Sequence, residues 1–128
     1  MIEILQHGLY TSIQDMGRFD YQSFGVPLSG ALDQHAYRIG NQLLNNPERA
    51  AVLECTLKGP KIRFHKNSYI ALTGADIQPQ LNGKPIKNQT PIEVKENDVL
   101  ELGTAKIGCR AYLAIAGGIK TEKVLGSR

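Results

Sequence analysis

The sequence contains no tryptophan and only three phenylalanines. Its core must therefore be assembled from Ile, Leu, Val and Ala rather than from large rings. It has two cysteines, Cys55 and Cys109, far apart and outside any CxxC or Cys/His cluster. Both read as buried reduced thiols, and nothing in their spacing supports a disulfide. His7, His35 and His65 lack metal-ligand spacing, so no metal site is expected. No segment approaches the ~20 apolar residues that cross a bilayer; the longest candidate is AYLAIAGGI. The first residues, MIEILQHGLY, lack the basic leader, apolar stretch and cleavage pattern of a secretory signal. A cytoplasmic protein with no membrane partner is the expectation. The formal net charge is only +3 and the basic residues are scattered, which argues against a nucleic-acid face. There is no P-loop, no GxGxxG after a strand, no GxSxG elbow and no Met-Lys-Met context for biotin.

What is present is the material of one globular domain. The 128 residues are 41% hydrophobic and 21% charged, enough for a real core. MIEILQ reads as a strand, His7-Gly8 as a turn and LYTSIQ as the partner strand. From Ala31 to Asn45 the period changes. Leu32, Ala36, Ile39 and Leu43 recur at helical spacing. Ser29 suits the N-cap and Asp33 the first turn. Asn45-Asn46-Pro47 closes the helix. Gly40 inside it costs about 1 kcal/mol relative to alanine, which implies a close packing contact.

After Pro47 the pattern is β-rich: AVLECTL, KIRF, SYIALTG, IQPQL, TPIEVK, VLELG and GCRAYLAIAGG. Turn signals separate these runs, and LNGKPI is the clearest hairpin, because Asn-Gly favours a type I′ turn. Short strands at this spacing predict a mainly β barrel or sandwich with one principal helix near residues 31–45. Residues 1–128 are expected to form a single β-rich domain.

Chemistry concentrates between the second strand and the helix. Gln14, Asp15, Arg18, Asp20, Tyr21 and Gln22 fall close together, with glycines that permit tight backbone turns. Such a loop can present polar groups at a barrel mouth. Arg18 can clamp a carboxylate or phosphate with its planar fork. Asp15 or Asp33 can orient it or act as a base; equally, Asp15 and Arg18 can simply pair and brace the loop. LTGAD is a second candidate. A strand ending there can expose backbone N–H groups as an anion nest through Thr73 and Gly74, or be an ordinary strand exit. In AVLECTL, alternation puts Val52, Glu54 and Thr56 on one face and Leu53, Cys55 and Leu57 on the core face. Glu54 then faces solvent, pairs with an arginine or lines a cavity.

Taken together, QD-GR, GVP-SGA-D, N-L-N-P, LE-TL-GP, TGAD and AYLA-AGGI, in this order along the chain, resemble the biotin-dependent carboxyltransferase-related family. That family includes Kip A proteins, allophanate hydrolase subunit 2 and the C-type subunit of 5-oxoprolinase. The resemblance implies a cyclophilin-like β-barrel. It implies a subunit of an ATP-dependent 5-oxoprolinase, opening 5-oxoproline to glutamate. Its partners would be a Kip I-like protein, similar to the B-type subunit of 5-oxoprolinase, and a LamB/YcsF-like subunit. Two alternatives stay open: a regulatory antagonist that binds a histidine-kinase inhibitor, and a biotin-dependent carboxyltransferase acting on urea-like amides. In each case no cofactor is expected on this chain, and ATP or carboxybiotin arrives through partner subunits. Under the resemblance Asp15 and Arg18 are the expected catalytic pair. Gln14, Tyr21, Ser29, Asp33, Glu54, Thr73 and Gly74 are the expected substrate-binding residues. Family members are longer, so the chain is expected to be the N-terminal part of a longer protein cut short at Arg128. A strand edge left bare there can pair with a second copy as a homo-oligomer.

Overall fold

The computed structural model describes residues 2–8, 10–14, 34–47, 50–105, 107–119 and 124–125; at 10–14, 34, 107–109 and 124–125 it describes the backbone. The strands are β1 (Ile2–Gln6), β2 (Tyr10–Gln14), β3 (Val52–Thr56), β4 (Lys61–Phe64), β5 (Ser68–Asp76), β6 (Gln80–Leu81), β7 (Lys84–Pro85), β8 (Ile92–Val94), β9 (Val99–Glu101), β10 (Ile107–Ile115) and β11 (Val124–Leu125). The helix α1 spans Gln34–Leu43. The strands form a six-stranded sheet, ordered β11-β1-β4-β9-β6-β7, and a five-stranded sheet, ordered β2-β3-β10-β5-β8. Among the described residues all pairings are antiparallel except that of β1 with β11. Among the described residues the expected mainly β architecture with one principal helix is what forms.

Strand alternation explains the core. Leu53 and Cys55 of β3, Ile70 and Leu72 of β5, and Ala111, Leu113 and Ile115 of β10 face inward from the smaller sheet. They meet Ile2, Ile62, Phe64 and Leu100 from the larger one. The opposite face of the smaller sheet carries α1, which packs across β5 and β10. A second, smaller apolar group forms there from Ala36, Tyr37, Val52, Tyr112 and Ala114.

Several sequence expectations need correcting. β1 and β2 are not hairpin partners: β1 pairs with β4 and β11, and β2 with β3, in different sheets. The His7-Gly8 turn is a corner between sheets, and a side chain at Gly8 would collide with the Lys58 carbonyl oxygen. That carbonyl belongs to the second corner, where the chain passes from β3 to β4. Leu57 starts this corner and is not a core residue. It has φ 66°, is 43% exposed, and sits under a bond from the Lys58 N–H to the Thr56 carbonyl. This is a γ-turn, which ends strand alternation. IQPQL is a strand only at its last two residues, and β5 continues through Gly74 to Asp76.

The helix ends at Leu43, two residues before the Asn45 expected from periodicity, and residues 31–33 lie outside the described residues. Its buried stripe is Ala36, Tyr37, Gly40 and Asn41, while Ile39 and Leu43 are only partly buried. Hydrogen bonding explains the shift. The Tyr37 hydroxyl and the Asn41 amide both donate to the Ala50 carbonyl, at 2.8 and 2.9 Å. Gly40 does make the close contact its helical position implied: a Cβ there would lie 3.2 Å from that of Ala114. The helix ends in a Schellman motif. Asn45 takes φ 56°, and Asn46 N–H reaches the Asn41 carbonyl at 2.8 Å. The Asn46 side chain then donates to Ile115 O and accepts from Gly117 N–H, clipping α1 to the exit of β10.

The Asn82-Gly83 hairpin forms as expected, with φ 52° and 84° at the two central residues. Gly74 shares the left-handed conformation at φ 85°, yet its surroundings differ. A Cβ at Gly74 would lie 2.5 Å from the Arg110 carbonyl oxygen, whereas one at Gly83 meets nothing within 4 Å. Gly83→Ala is therefore expected to cost about 1 kcal/mol, and Gly74→Ala roughly 2–4 kcal/mol, because overpacking adds to the backbone term. Urea unfolding midpoints of the two variants check this order.

Candidate functional site

The helix-side face of the smaller sheet carries a polar row. Register aligns Ser12 of β2 with Glu54 of β3, Glu54 with Tyr112 of β10, and Tyr112 with Thr73 of β5. One step along, Thr56 aligns with both Tyr10 and Arg110. Glu54, Tyr112 and Arg110 therefore come from neighbouring strands and converge on one face.

Tyr112 and Glu54 are hydrogen-bonded, and Arg110 faces Glu54 at ion-pair distance without a hydrogen bond from its Nε. The Tyr112 hydroxyl donates to Glu54 Oε2 at 2.9 Å. Arg110 Nε lies 3.9 Å from the other oxygen, Oε1. Glu54 is only 7% exposed. Burial raises its carboxyl above the usual range; the Tyr112 hydrogen bond and then the Arg110 charge oppose this without cancelling it. The next residue, Cys55, points into the core, and its thiol is pushed up to about 12 by burial first and by Glu54 second. It stays neutral and unreactive at physiological pH, in keeping with the buried thiol expected from sequence; the Cys109 side chain lies outside the described ones.

β10 carries a bulge beside Arg110. Between Ile107 and Ala111 β10 advances four residues, while its partner β5 moves only two, from Asp76 to Gly74. The Arg110 carbonyl fills the space that a side chain at Gly74 would need. Gly74 is thus explained by close backbone approach within a strand. LTGAD is not a strand exit, which corrects the premise of the expected anion nest. Beside it Thr73 is fully buried and donates its hydroxyl to the Ala36 carbonyl at 2.6 Å. It tethers α1 to the sheet.

Of the sequence candidates, Glu54 and Thr73 share this face on either side of Tyr112, while Gly74 pairs with the core-facing Ala111. Gln14 closes β2 opposite Val52. Asp15, Arg18, Tyr21, Ser29 and Asp33 lie outside the described residues. Arg110 and Tyr112 were missed. The alternation in RAYLA puts both on one face, but the meeting of Tyr112 with Glu54 joins strands 58 positions apart, which no local pattern reveals. Among the described residues no group of three or more His, Cys, Asp or Glu could hold a metal ion. No helix among them is long and apolar enough to cross a membrane.

The raised Glu54 carboxyl has a signed consequence. The folded state holds this proton more tightly than the unfolded chain, so the group favours folding below its unfolded value near 4.5 and loses that contribution as pH rises through the folded value. Glu54→Gln removes the titration and keeps an acceptor for Tyr112. The stability of the wild type relative to Glu54→Gln should therefore be greatest at and below about pH 4.5 and fall as the pH rises above it. Urea unfolding of both proteins across that range checks it; a constant difference would contradict the assignment.

The chain matches the family described as carboxyltransferase domain, subdomain A and B, over residues 24–128. It is 45% identical over 127 residues to the urea amidolyase of Lachancea kluyveri, covering 98% of this chain and 7% of that protein. It is 37% identical over 127 residues to the C-type subunit of 5-oxoprolinase from Escherichia coli, covering 99% of this chain and 41% of that protein. The crystal structure of Kluyveromyces lactis urea carboxylase superposes with a TM-score of 0.82 at 42% identity, over 93% of this chain and 11% of that one. The chain thus spans less than half the length of these relatives. With a family match over most of its residues, it belongs to the carboxyltransferase domain family and corresponds to the N-terminal portion of that domain.

Proposed function

We propose that this chain acts as a subunit of an ATP-dependent 5-oxoprolinase, opening 5-oxoproline to glutamate. In this reading it works in the cytoplasm beside a Kip I-like protein, similar to the B-type subunit of 5-oxoprolinase, and a LamB/YcsF-like subunit. ATP is handled through the partners, since the sequence has no P-loop. The observation that carries the reading is the Glu54–Tyr112–Arg110 group on the helix-side face, in a chain similar along its length to the C-type subunit of 5-oxoprolinase. 5-Oxoproline presents a lactam and a carboxylate. A guanidinium offers planar donors to a carboxylate. A carboxyl group hydrogen-bonded to a tyrosine hydroxyl can take part in proton transfer where a ring nitrogen is released. Asp15 and Arg18 remain the proposed catalytic pair, with Gln14, Tyr21, Ser29 and Asp33 as proposed binding residues.

A second reading rests on the higher identity to urea amidolyases. Here the domain holds urea or a similar amide while a carboxyl group is transferred from carboxybiotin on another domain. The residues and the requirement for an N–C=O substrate are shared.

Reconstitution separates these readings. The complete protein combined with its two partner subunits should convert 5-oxoproline to glutamate only when ATP is present. Arg18→Ala and Asp15→Ala should each lower the rate at least about tenfold, as loss of a positioned charged group does. Carboxylation of urea by a biotin-loaded partner, with no glutamate formed, would select the second reading. Tight binding of a histidine-kinase inhibitor without turnover of either substrate would select a regulatory role.

A further inference from the structure

The turn that closes the β6–β7 hairpin, Asn82-Gly83, has a chemical liability as well as a conformational preference. Asparagine is a thermolabile residue, and most so before glycine, whose nitrogen has no bulky neighbour and can reach the asparagine side-chain carbon. Here the approach is sterically clear. Both residues are exposed, and a side chain at Gly83 would meet nothing within 4 Å. What opposes the reaction is the way the Asn82 amide is held.

That amide is bound at both ends to β9 and the turn before it. Nδ2 donates to Asp98 Oδ1 at 2.9 Å, and Oδ1 accepts the Val99 N–H at 2.9 Å. The Asn82 backbone N–H donates to the Val99 carbonyl at 2.8 Å. The side chain thus supplies the rung that follows Gln80–Glu101 and Leu81–Leu100 in the β6–β9 ladder. Asp98 is itself a junction. Its Oδ2 accepts the Lys95 N–H at 2.8 Å, and its carbonyl accepts the N–H of the core residue Phe64 at 2.9 Å. One amide group therefore ties the tip of the β6–β7 hairpin to the turn between β8 and β9 and, through it, to β4.

We propose that Asn82 is a site of spontaneous hydrolytic modification, and that its amide is a single-use latch on this end of the larger sheet. The chemistry needs only water. Gly83 N bonds to Asn82 Cγ and closes a five-membered imide. The Cγ–Nδ2 bond breaks, and Nδ2 departs as ammonia with the proton from the Gly83 N–H. Water then opens one of the two ring C–N bonds, giving aspartate or isoaspartate; in the latter the chain runs through the side-chain carbon. While both hydrogen bonds hold, the amide is engaged by Asp98 and Val99, so ring closure waits for local opening of the hairpin. Afterwards the latch does not close again. Aspartate puts a second carboxylate where Nδ2 met Asp98, a spacing at which two carboxylates resist ionising together. Isoaspartate lengthens the main chain within a two-residue turn whose length sets the strand register.

The test follows Asn82 in the complete chain at neutral pH by peptide mass spectrometry, with fragmentation that separates aspartate from isoaspartate. Conversion should be at least about tenfold slower in the folded protein than in the urea-unfolded chain, as an opening that breaks a hydrogen bond to a charged group predicts. Asp98→Ala, shown by thermal melting to be folded, should speed conversion about tenfold and leave the unfolded rate unchanged. Asn82→Asp makes the product directly; it should melt below wild type and lose hydrogen-exchange protection at the Val99 amide. Adding Asp98→Asn to it reverses the pair, restores an amide–carboxylate contact and should recover most of both properties. Equal rates in folded and unfolded wild type, or an unchanged rate in folded Asp98→Ala, overturn the latch. Asn82→Asp as stable and as protected as wild type overturns it as well. If Asp98→Ala does not fold, the double variant decides: recovery supports the inference and no recovery overturns it.

Discussion

The register between β3 and β10 is the constraint on which the rest depends. It pairs Leu53 with Leu113 and Glu54 with Tyr112. Leu53, Cys55, Ala111 and Leu113 consequently face the core between the sheets, and Glu54, Tyr112 and Arg110 face the helix side. A slip by one residue would bury the carboxylate among aliphatic side chains and turn the leucines outward. The burial of apolar surface that holds the sheets together therefore also sets the geometry of the polar group. No separate interaction is needed to bring the three side chains into contact.

The helix adds rigidity to the same face. Thr73 holds the Ala36 carbonyl, Tyr37 and Asn41 converge on Ala50, and Asn46 bridges the helix end to β10. These bonds satisfy buried polar groups that would otherwise be costly. They explain why a helix with a tyrosine and an asparagine on its buried stripe packs as closely as an aliphatic one. Gly40 matters here because it lets the backbone approach Ala114, bringing Thr73 within reach of the helix carbonyl.

Much of this was legible in the sequence, where the cause was local. The Asn82-Gly83 hairpin, the helix near Ala36 to Leu43, the contact at Gly40 and the placement of Glu54 opposite Leu53 and Cys55 all follow from neighbours a few positions apart. What failed was non-local. Proximity along the chain suggested that β1 and β2 pair, yet their turn is a corner between sheets. Alternation carried Leu57 into the core because the γ-turn that removes it depends on packing against Gly8 and a bond from Ala105 N–H to its carbonyl. The meeting of Arg110 with Glu54 was hidden for the same reason. The resemblance to carboxyltransferase-related proteins, by contrast, was carried by motifs spread along the whole chain, and it named the family correctly.

The single parallel pairing among the described strands has its own implication. β1 and β11 lie side by side, with Ile2 opposite Val124 and Glu3 opposite Leu125, so two strands from opposite ends of the described chain lie within about 5 Å of each other at one sheet edge. A parallel pair cannot be closed by a tight turn, and the chain between these strands has to run through the rest of both sheets before they can meet. Pairing at this edge is therefore the most non-local step in the fold, with the largest loop-closure cost.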